Sequence, residues 1–225
     1  MTNINFTPLY LSLYLAFIST FILITLGIPI SWWLSKTNKN KIKKIIETII
    51  ALPLVLPPTI LGFYILILFN PTTTFGKIWT YIFQTNLAFS MSGLILGSII
   101  YSLPFAIQPI QIAFEKIDKN IIYQTQILQY SKIKTFIKII IPLSKNGIIT
   151  AAILSFAHTL GEFGVVLMIG GNIPGKTQVI SIAIYESVEL LDYSSTHILS
   201  AIILIISFII LLILFNINKK ENEKY

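Results

Sequence analysis

The segments Ile139-Ile140-Ile141-Pro142-Leu143 and Phe156-Ala157-His158-Thr159-Leu160-Gly161-Glu162-Phe163-Gly164 decide how this chain folds. The first closes a basic loop, and the second lies in an apolar helix that carries a carboxylate. Ser155, His158, Thr159 and Glu162 stand at i, i+3, i+4 and i+7, which places all four on one face of a helix. An ionisable side chain at the centre of a membrane span costs about 2.5 kcal/mol or more, so it ordinarily faces protein or a wet pathway. A polar stripe behind a long basic loop fits a driven transport channel better than an anchor.

The composition around this stretch points the same way. The 225 residues are 55% hydrophobic and only 11% charged, with a mean hydropathy of +0.82. Soluble domains carry about a quarter charged residues, so the chain reads as an all-α integral membrane protein. Five apolar runs, near 9–34, 45–69, 87–114, 147–169 and 196–215, can each supply the roughly 20 helical residues that cross a hydrocarbon core. The first is too long for a signal-peptide core and lacks a basic leader and a small-residue cleavage site, so it is expected to stay in the mature protein. The expected organisation is one membrane domain over 9–215 and a tail over 216–225.

All sixteen basic residues are lysines. Fourteen lie between spans one and two (Lys36, Lys39, Lys41, Lys43, Lys44), between spans three and four (Lys116, Lys119, Lys132, Lys134, Lys138, Lys145) or in the tail (Lys219, Lys220, Lys224). Only Lys77 and Lys176 fall on the other side. The positive-inside rule then puts the N-terminus outside and the C-terminus in the cytoplasm. Nucleic acid is not an expected partner, because the lysines border membrane spans and there is no arginine for bidentate contacts. The absence of cysteine removes disulfides and thiolate chemistry.

Within the second run, Pro53, Pro57 and Pro58 remove backbone donors and crowd the preceding carbonyls, so that helix must kink or break. Broken backbone in a membrane is tolerated where protein or a water-filled cavity covers it. Gly93 and Gly97 in the third run have the spacing that lets helices approach closely. The inner loop over 115–146 is too long for a simple helix connection. In it Ile133, Phe136, Ile137 and Ile140 repeat the i, i+3, i+4, i+7 pattern beside Lys132, Lys134 and Lys138, as an amphipathic helix would. A helix lying on anionic lipid and a docking element for a cytoplasmic partner fit that pattern equally well.

Two other patterns carry less. Gly170-Gly171-Asn172-Ile173-Pro174-Gly175-Lys176-Thr177 matches the phosphate loop G-x4-G-K-[ST], but a membrane helix precedes it where a buried strand is required. His158 and His197 form no metal constellation, and no serine, histidine and acid have nucleophile spacing, so no catalysis, metal or cofactor is expected. Glu162 is different because it lies deep, about 22 Å from Gly147 at ~1.5 Å per residue. His158, one turn back, is its expected local partner. A buried acid held purely by packing is the alternative to a gate.

At Leu52-Pro53-Leu54-Val55-Leu56-Pro57-Pro58 with Gly62, and from Phe156 to Gly164 on through Asn172-Ile173-Pro174-Gly175, the chain resembles the permease subunits of bacterial ABC importers, and most closely the molybdate branch. The resemblance runs over about 9–215. The family's coupling motif is EAA, then a glycine, then I-x-L-P. Ile139, Ile141 and Pro142 match its end, while Leu128, Ser131, Thr135 and Phe136 fit the usual spacing. Its Glu-Ala-Ala falls on Tyr123, Gln124 and Thr125, and its glycine on Gln129.

The resemblance implies a type I ABC importer permease fold in a bacterial inner membrane. It implies as partners a second copy of the chain, two copies of an ABC ATP-binding subunit and an extracytoplasmic molybdate-binding protein. Two short helices of the inner loop would enter a groove on the ATPase, carried by Tyr123, Gln129, Ile133, Phe136, Ile137, Ile140 and Pro142. Pro53, Pro57, Pro58, Ser155, His158, Thr159 and Glu162 would line the pathway or its gate. A carboxylate repels an oxyanion, so Glu162 is expected as a gate or scaffold and not as a ligand. Sulfate or tungstate transport is the near alternative. A proton-coupled secondary transporter using Glu162 and His158 as a relay is the distant one, since those folds usually need repeated halves.

Overall fold

The computed structural model describes residues 5–37 and 41–222, so Lys39, Lys224 and the end of the tail lie outside the described residues. Among the described residues the regular structure is helical, with no strand. Three uninterrupted helices are long and apolar enough to cross a membrane: α1 (Thr7–Lys36), α5 (Met91–Glu115) and the first 25 residues of α12 (Tyr193–Asn222). α1 buries Ser12, Ala16, Ser19, Leu23, Gly27 and Ser31 along one side. These residues recur every three or four positions, and most are small, so α1 lies close along α5 and α9 (Lys145–Leu160). Ser31 Oγ donates to the Ile107 carbonyl of α5 at 3.0 Å, satisfying a hydroxyl that hydrocarbon could not.

The second run breaks at its prolines, as expected. α2 (Lys41–Ala51) passes through a 3-10 turn at Leu52–Leu54 and resumes as α3 (Pro58–Leu68), with a bend of 111°. The amides of Val55 and Leu56 both reach back to the Leu52 carbonyl at 3.1 Å, which closes the first helix. Pro57 is extended at ψ 132, the conformation a following proline demands, and Pro58 starts α3 where no backbone donor is needed.

The fourth run departs from the single helix expected over 147–169. α9 ends at Leu160, and α10 (Gly164–Gly170) starts after the connection Gly161-Glu162-Phe163. Gly161 N–H still bonds to Ala157 at 3.2 Å, but Glu162 N–H closes the shorter loop to Thr159 at 3.3 Å, and Phe163 turns out of the helix at φ −126, ψ −62. Packing supplies the reason. A Cβ at Gly164 would lie 2.8 Å from Pro58 Cβ, so only a bare backbone lets α10 sit against the start of α3. Glu162 therefore stands in a turn and not on the helical face that its spacing suggested.

Among the described residues four apolar clusters hold these helices, and two of them bear on the site and the loop. One joins Leu15, Phe69, Leu94, Val165, Ile169 and Ile182 across α1, α3, α5, α10 and α11 (Ile180–Glu189). The other gathers Ile110, Phe114, Ile140 and Ala151, with Trp32 and Phe136 packed on it. After α3 a short helix α4 (Thr74–Phe83) is capped by Thr73, whose hydroxyl accepts from Gly76 N–H at 3.1 Å. Gly93 and Gly97 serve packing inside the subunit: a Cβ on Gly97 would collide with the Ile169 δ-methyl, and one on Gly93 with the Leu87 carbonyl. Overpacking of this kind costs about 1–3 kcal/mol. Gly97→Val should accordingly lower the thermal midpoint of the detergent-solubilised protein by several degrees; an unchanged midpoint would contradict this close contact.

Candidate functional site

Hydroxyl groups of α5 hold the break between α9 and α10. Ser98 Oγ donates to Glu162 Oε2 at 2.7 Å. One turn on, Ser102 Oγ bonds with both His158 Nδ1 at 2.8 Å and Thr159 Oγ1 at 2.9 Å. Ser181 of α11 donates to the Glu162 carbonyl at 2.6 Å. Both α5 serines are fully buried and Glu162 is 4% exposed. Its second carboxylate oxygen, Oε1, is buried without a hydrogen-bond partner. The His158 ring stacks on Phe105 at 4.1 Å and tilts against Tyr101 at 4.6 Å.

Beside the break lies a cleft of about 570 Å³, bounded by Pro58, Thr59, Tyr101, His158, Gly161 and Glu162 among others. That volume falls within the roughly 300–1,000 Å³ of ligand-sized clefts. The expected pathway residues divide between it and the interior. Pro58, His158 and Glu162 border the cleft, and Pro57 is exposed as the N-cap of α3. Pro53, Ser155 and Thr159 are instead buried between helices, so the polar stripe faces α5 more than open space. The expected pairing of Glu162 with His158 is also corrected: among the described residues no hydrogen bond or ion pair joins them, because each takes its own serine. Ser98, Ser102 and Ser181 were not anticipated. The i, i+4 spacing of the first two on one face of the third run was the available signal.

The inner loop forms α6 (Lys119–Ile127), α7 (Lys132–Thr135), a π-helical turn at Phe136–Ile140 and α8 (Ile141–Leu143). Thr135 Oγ1 donates to Thr125 Oγ1 at 3.2 Å and ties the two arms together. In the π turn Ile141 N–H bonds to Phe136, five residues back, and this wide turn splits the expected stripe. Phe136 and Ile140 turn inward, Phe136 lying 5.2 Å from Trp32. Ile133 and Ile137 turn outward, 73% and 57% exposed, and Tyr123, Ile127 and Leu128 on the other arm are exposed as well. Pro142 sits in the first turn of α8, where its missing donor is harmless. Gln129, at the expected glycine position, adopts the left-handed φ of 55. The turn thus keeps the conformation that glycine would favour.

The phosphate-loop match is not a phosphate loop in space. The amides of Lys176, Thr177 and Gln178 all point to the Ile173 carbonyl, at 3.0–3.1 Å, and Thr177 Oγ1 donates to Gly170 at 2.7 Å. These three amides are thereby turned to the chain's own carbonyl. Among the described residues no three of His, Asp and Glu stand together as a metal site.

Comparison with known proteins agrees with this architecture. The family model "Binding-protein-dependent transport system inner membrane component" matches residues 24–220. The molybdenum transport system permease protein ModB of Azotobacter vinelandii is 44% identical over 206 residues, covering 92% of this chain and 91% of that protein. ModB of Haemophilus influenzae is 34% identical over 179 residues, 80% and 78% of the two chains. A Chlorella vulgaris protein named for sulfate transport, cysT, is 28% identical over 204 residues, 91% and 76% of the two. Among solved structures, a bacterial ABC transporter involved in the import of alginate superposes with a TM-score of 0.73 at 16% identity, over 99% of this chain and 80% of that one. The MetNI methionine ABC transporter gives 0.71 at 15%, over 95% and 94%. At these identities the structures establish the fold alone, that of an ABC importer permease.

Two outcomes follow from the geometry. Glu162→Ala deprives Ser98 of its acceptor and empties a buried polar position, at a cost of about 1–3 kcal/mol, whereas Glu162→Gln keeps an acceptor for Ser98 and removes only the charge. Thermal unfolding should therefore show the alanine variant well below the glutamine variant, and equal midpoints would sink the Ser98 contact. Gln129→Gly should raise the midpoint slightly, since a side chain in left-handed backbone costs about 1–2 kcal/mol and glycine's extra chain entropy offsets part of that gain. A fall on this substitution would mean that the Gln129 side chain makes a compensating contact.

Proposed function

Because this chain belongs to the family of binding-protein-dependent transport system inner membrane components, we propose that it is the membrane-spanning subunit of an ATP-driven importer and that its cargo is molybdate. The observation that carries this reading is a likeness extending over nine-tenths of both chains to a molybdenum permease. The relative named for sulfate is less similar, which favours molybdate over sulfate while keeping the cargo a tetrahedral oxyanion. On this reading ATP is hydrolysed on a separate pair of ATP-binding subunits, an extracytoplasmic protein captures the anion, and two copies of this chain form the pathway.

The proposed division of labour follows the two sites. The exposed face of Tyr123, Ile127, Leu128, Ile133 and Ile137 docks on the ATPase, with Gln129 shaping the turn between its two arms. Phe136 and Ile140 tie the loop to α1 and α5 through Trp32 and Phe114, and Pro142 leads it into α9. Movement of the ATPase pair would thereby reach the helices around the cleft. There Pro58, His158 and Glu162 border the pathway, with Pro57 beside them. Pro53, Ser155 and Thr159 support it from inside the subunit. The N-terminus faces outward and the tail the cytoplasm, in line with the lysine distribution.

The function is tested in proteoliposomes holding this chain, its ATPase and the binding protein. Molybdate uptake should require ATP and should survive a protonophore. Uptake that needs a proton gradient and no ATP would instead assign a secondary transporter. Docking is tested by Ile133→Asp with Ile137→Asp, which puts two charges into a dry contact and should abolish copurification with the ATPase while leaving the thermal midpoint unchanged. Phe136→Asp should destabilise the permease itself. Orientation is tested in the cysteine-free chain: an impermeant maleimide should label Lys77→Cys in sealed cells and leave Lys134→Cys unlabelled, and the reverse pattern would invert the topology.

A further inference from the structure

Three glycines surround the meeting of α3, α9 and α10, and only two are explained by the subunit's own packing. A Cβ at Gly62 would lie 2.8 Å from Met168 Cβ, and one at Gly164 would lie 2.8 Å from Pro58 Cβ. At Gly161 the nearest atoms to such a Cβ are the carbonyl oxygens of Ala157 and His158, 3.7 and 3.9 Å away, at ordinary or looser contact. Its backbone, at φ −91 and ψ 2, has negative φ and lies in the bridge region that turns use, so the conformation does not require glycine. Alanine would therefore fit here without strain and would leave the unfolded chain less freedom to lose. Neither sterics nor conformation within the subunit calls for a bare backbone at this position.

What Gly161 does leave is room, because it is exposed and borders the cleft. Thr59, Tyr101 and His158 line the same space, and each carries a polar group that can donate a hydrogen bond without adding a fixed positive charge. Glu162, the acid that would repel an anion, is held back by Ser98 and almost fully buried. We propose that the side chain missing at Gly161 is space used by the transported oxyanion, so that Gly161 sets the width of the pathway at the break between α9 and α10. This inference rests on the importer reading above. It commits the cleft to the passing anion, in preference to a second copy of the chain or lipid, because Thr59, Tyr101 and His158 set hydrogen-bonding groups in an otherwise apolar wall, and lipid tails would leave those groups unsatisfied.

The test grades the width of the site. Gly161→Ala and Gly161→Val are assembled with the ATPase and binding protein, and molybdate uptake, ATP hydrolysis, copurification and thermal midpoint are measured together. Uptake should fall at least tenfold with valine and by a smaller factor with alanine, while hydrolysis and assembly stay within twofold of the parent. The alanine midpoint should be no lower than the parent's, and Gly164→Ala, by contrast, should lose stability. Uptake within twofold in both variants, or loss of assembly in the alanine variant, would overturn the proposal. Gly161→Cys adds an arm that does not depend on uptake, since the chain has no other cysteine. A charged methanethiosulfonate should modify it in the assembled complex in at least one nucleotide state. Failure to react in every state would give the site to lipid, or to the partner copy if an oxidant then links two chains, and either result refutes the pathway role. Parent protein without ATP-dependent molybdate uptake would count against the importer reading, and the cysteine arm would still decide whether Gly161 faces water.

Discussion

The hydrogen bond from Ser98 to Glu162 holds the buried carboxylate at the place where the fourth apolar run stops being a helix, and the polar contacts around the cleft are built about it. Inside a membrane every backbone and side-chain polar group must find its partner within the protein. The break frees such groups, and α5 and α11 answer with hydroxyls: Ser98 for the carboxylate, Ser102 for His158 and Thr159, and Ser181 for the Glu162 carbonyl. Removing any one member exposes the others to an unfavourable surrounding. This is why the interaction matters beyond its own strength.

The second break, at Pro57 and Pro58, meets the first. Gly164 lets α10 close on Pro58, and Gly62 lets α3 close on Met168, so two interrupted spans share one irregular zone. A single proline kink would have remained a local feature of one helix. Two breaks packed together give a cleft whose walls belong to separate segments. The uninterrupted helix α5 contributes Tyr101 to the cleft wall, and α1 packs closely along α5 and α9 through its small residues.

The Trp32, Phe114 and Phe136 rings connect the loop over 115–146 to the long helices. The π turn makes this possible without sacrificing the loop's outer surface, because it directs Phe136 and Ile140 inward while Ile133 and Ile137 stay exposed. A regular helix would have kept the four isoleucine and phenylalanine side chains on one stripe, serving either the core or a partner. Here the same short segment packs on the core through Phe136 and Ile140 and still leaves Ile133 and Ile137 exposed.

Much of this was legible in the sequence. Composition alone determined an all-helical membrane protein, the prolines determined a break in the second run, and the segments around Pro57 and Glu162 carried a family resemblance that agrees with chain-wide similarity. These features are local or additive: hydropathy sums along a run, and a proline disrupts its own helix wherever it stands. The tertiary structure decided the rest. Helical spacing put Glu162 on a face with Ser155 and His158, yet close packing of Gly164 on Pro58 ends the helix first. Sequence distance made His158 the obvious partner of Glu162, while the actual partner, Ser98, is 64 residues away and reaches it only because α5 packs against α9 and α10. A one-residue phase shift in the π turn divided a stripe that periodicity read as continuous. In each case a long-range contact, whose energy no local pattern contains, overrode what the spacing along the chain implied.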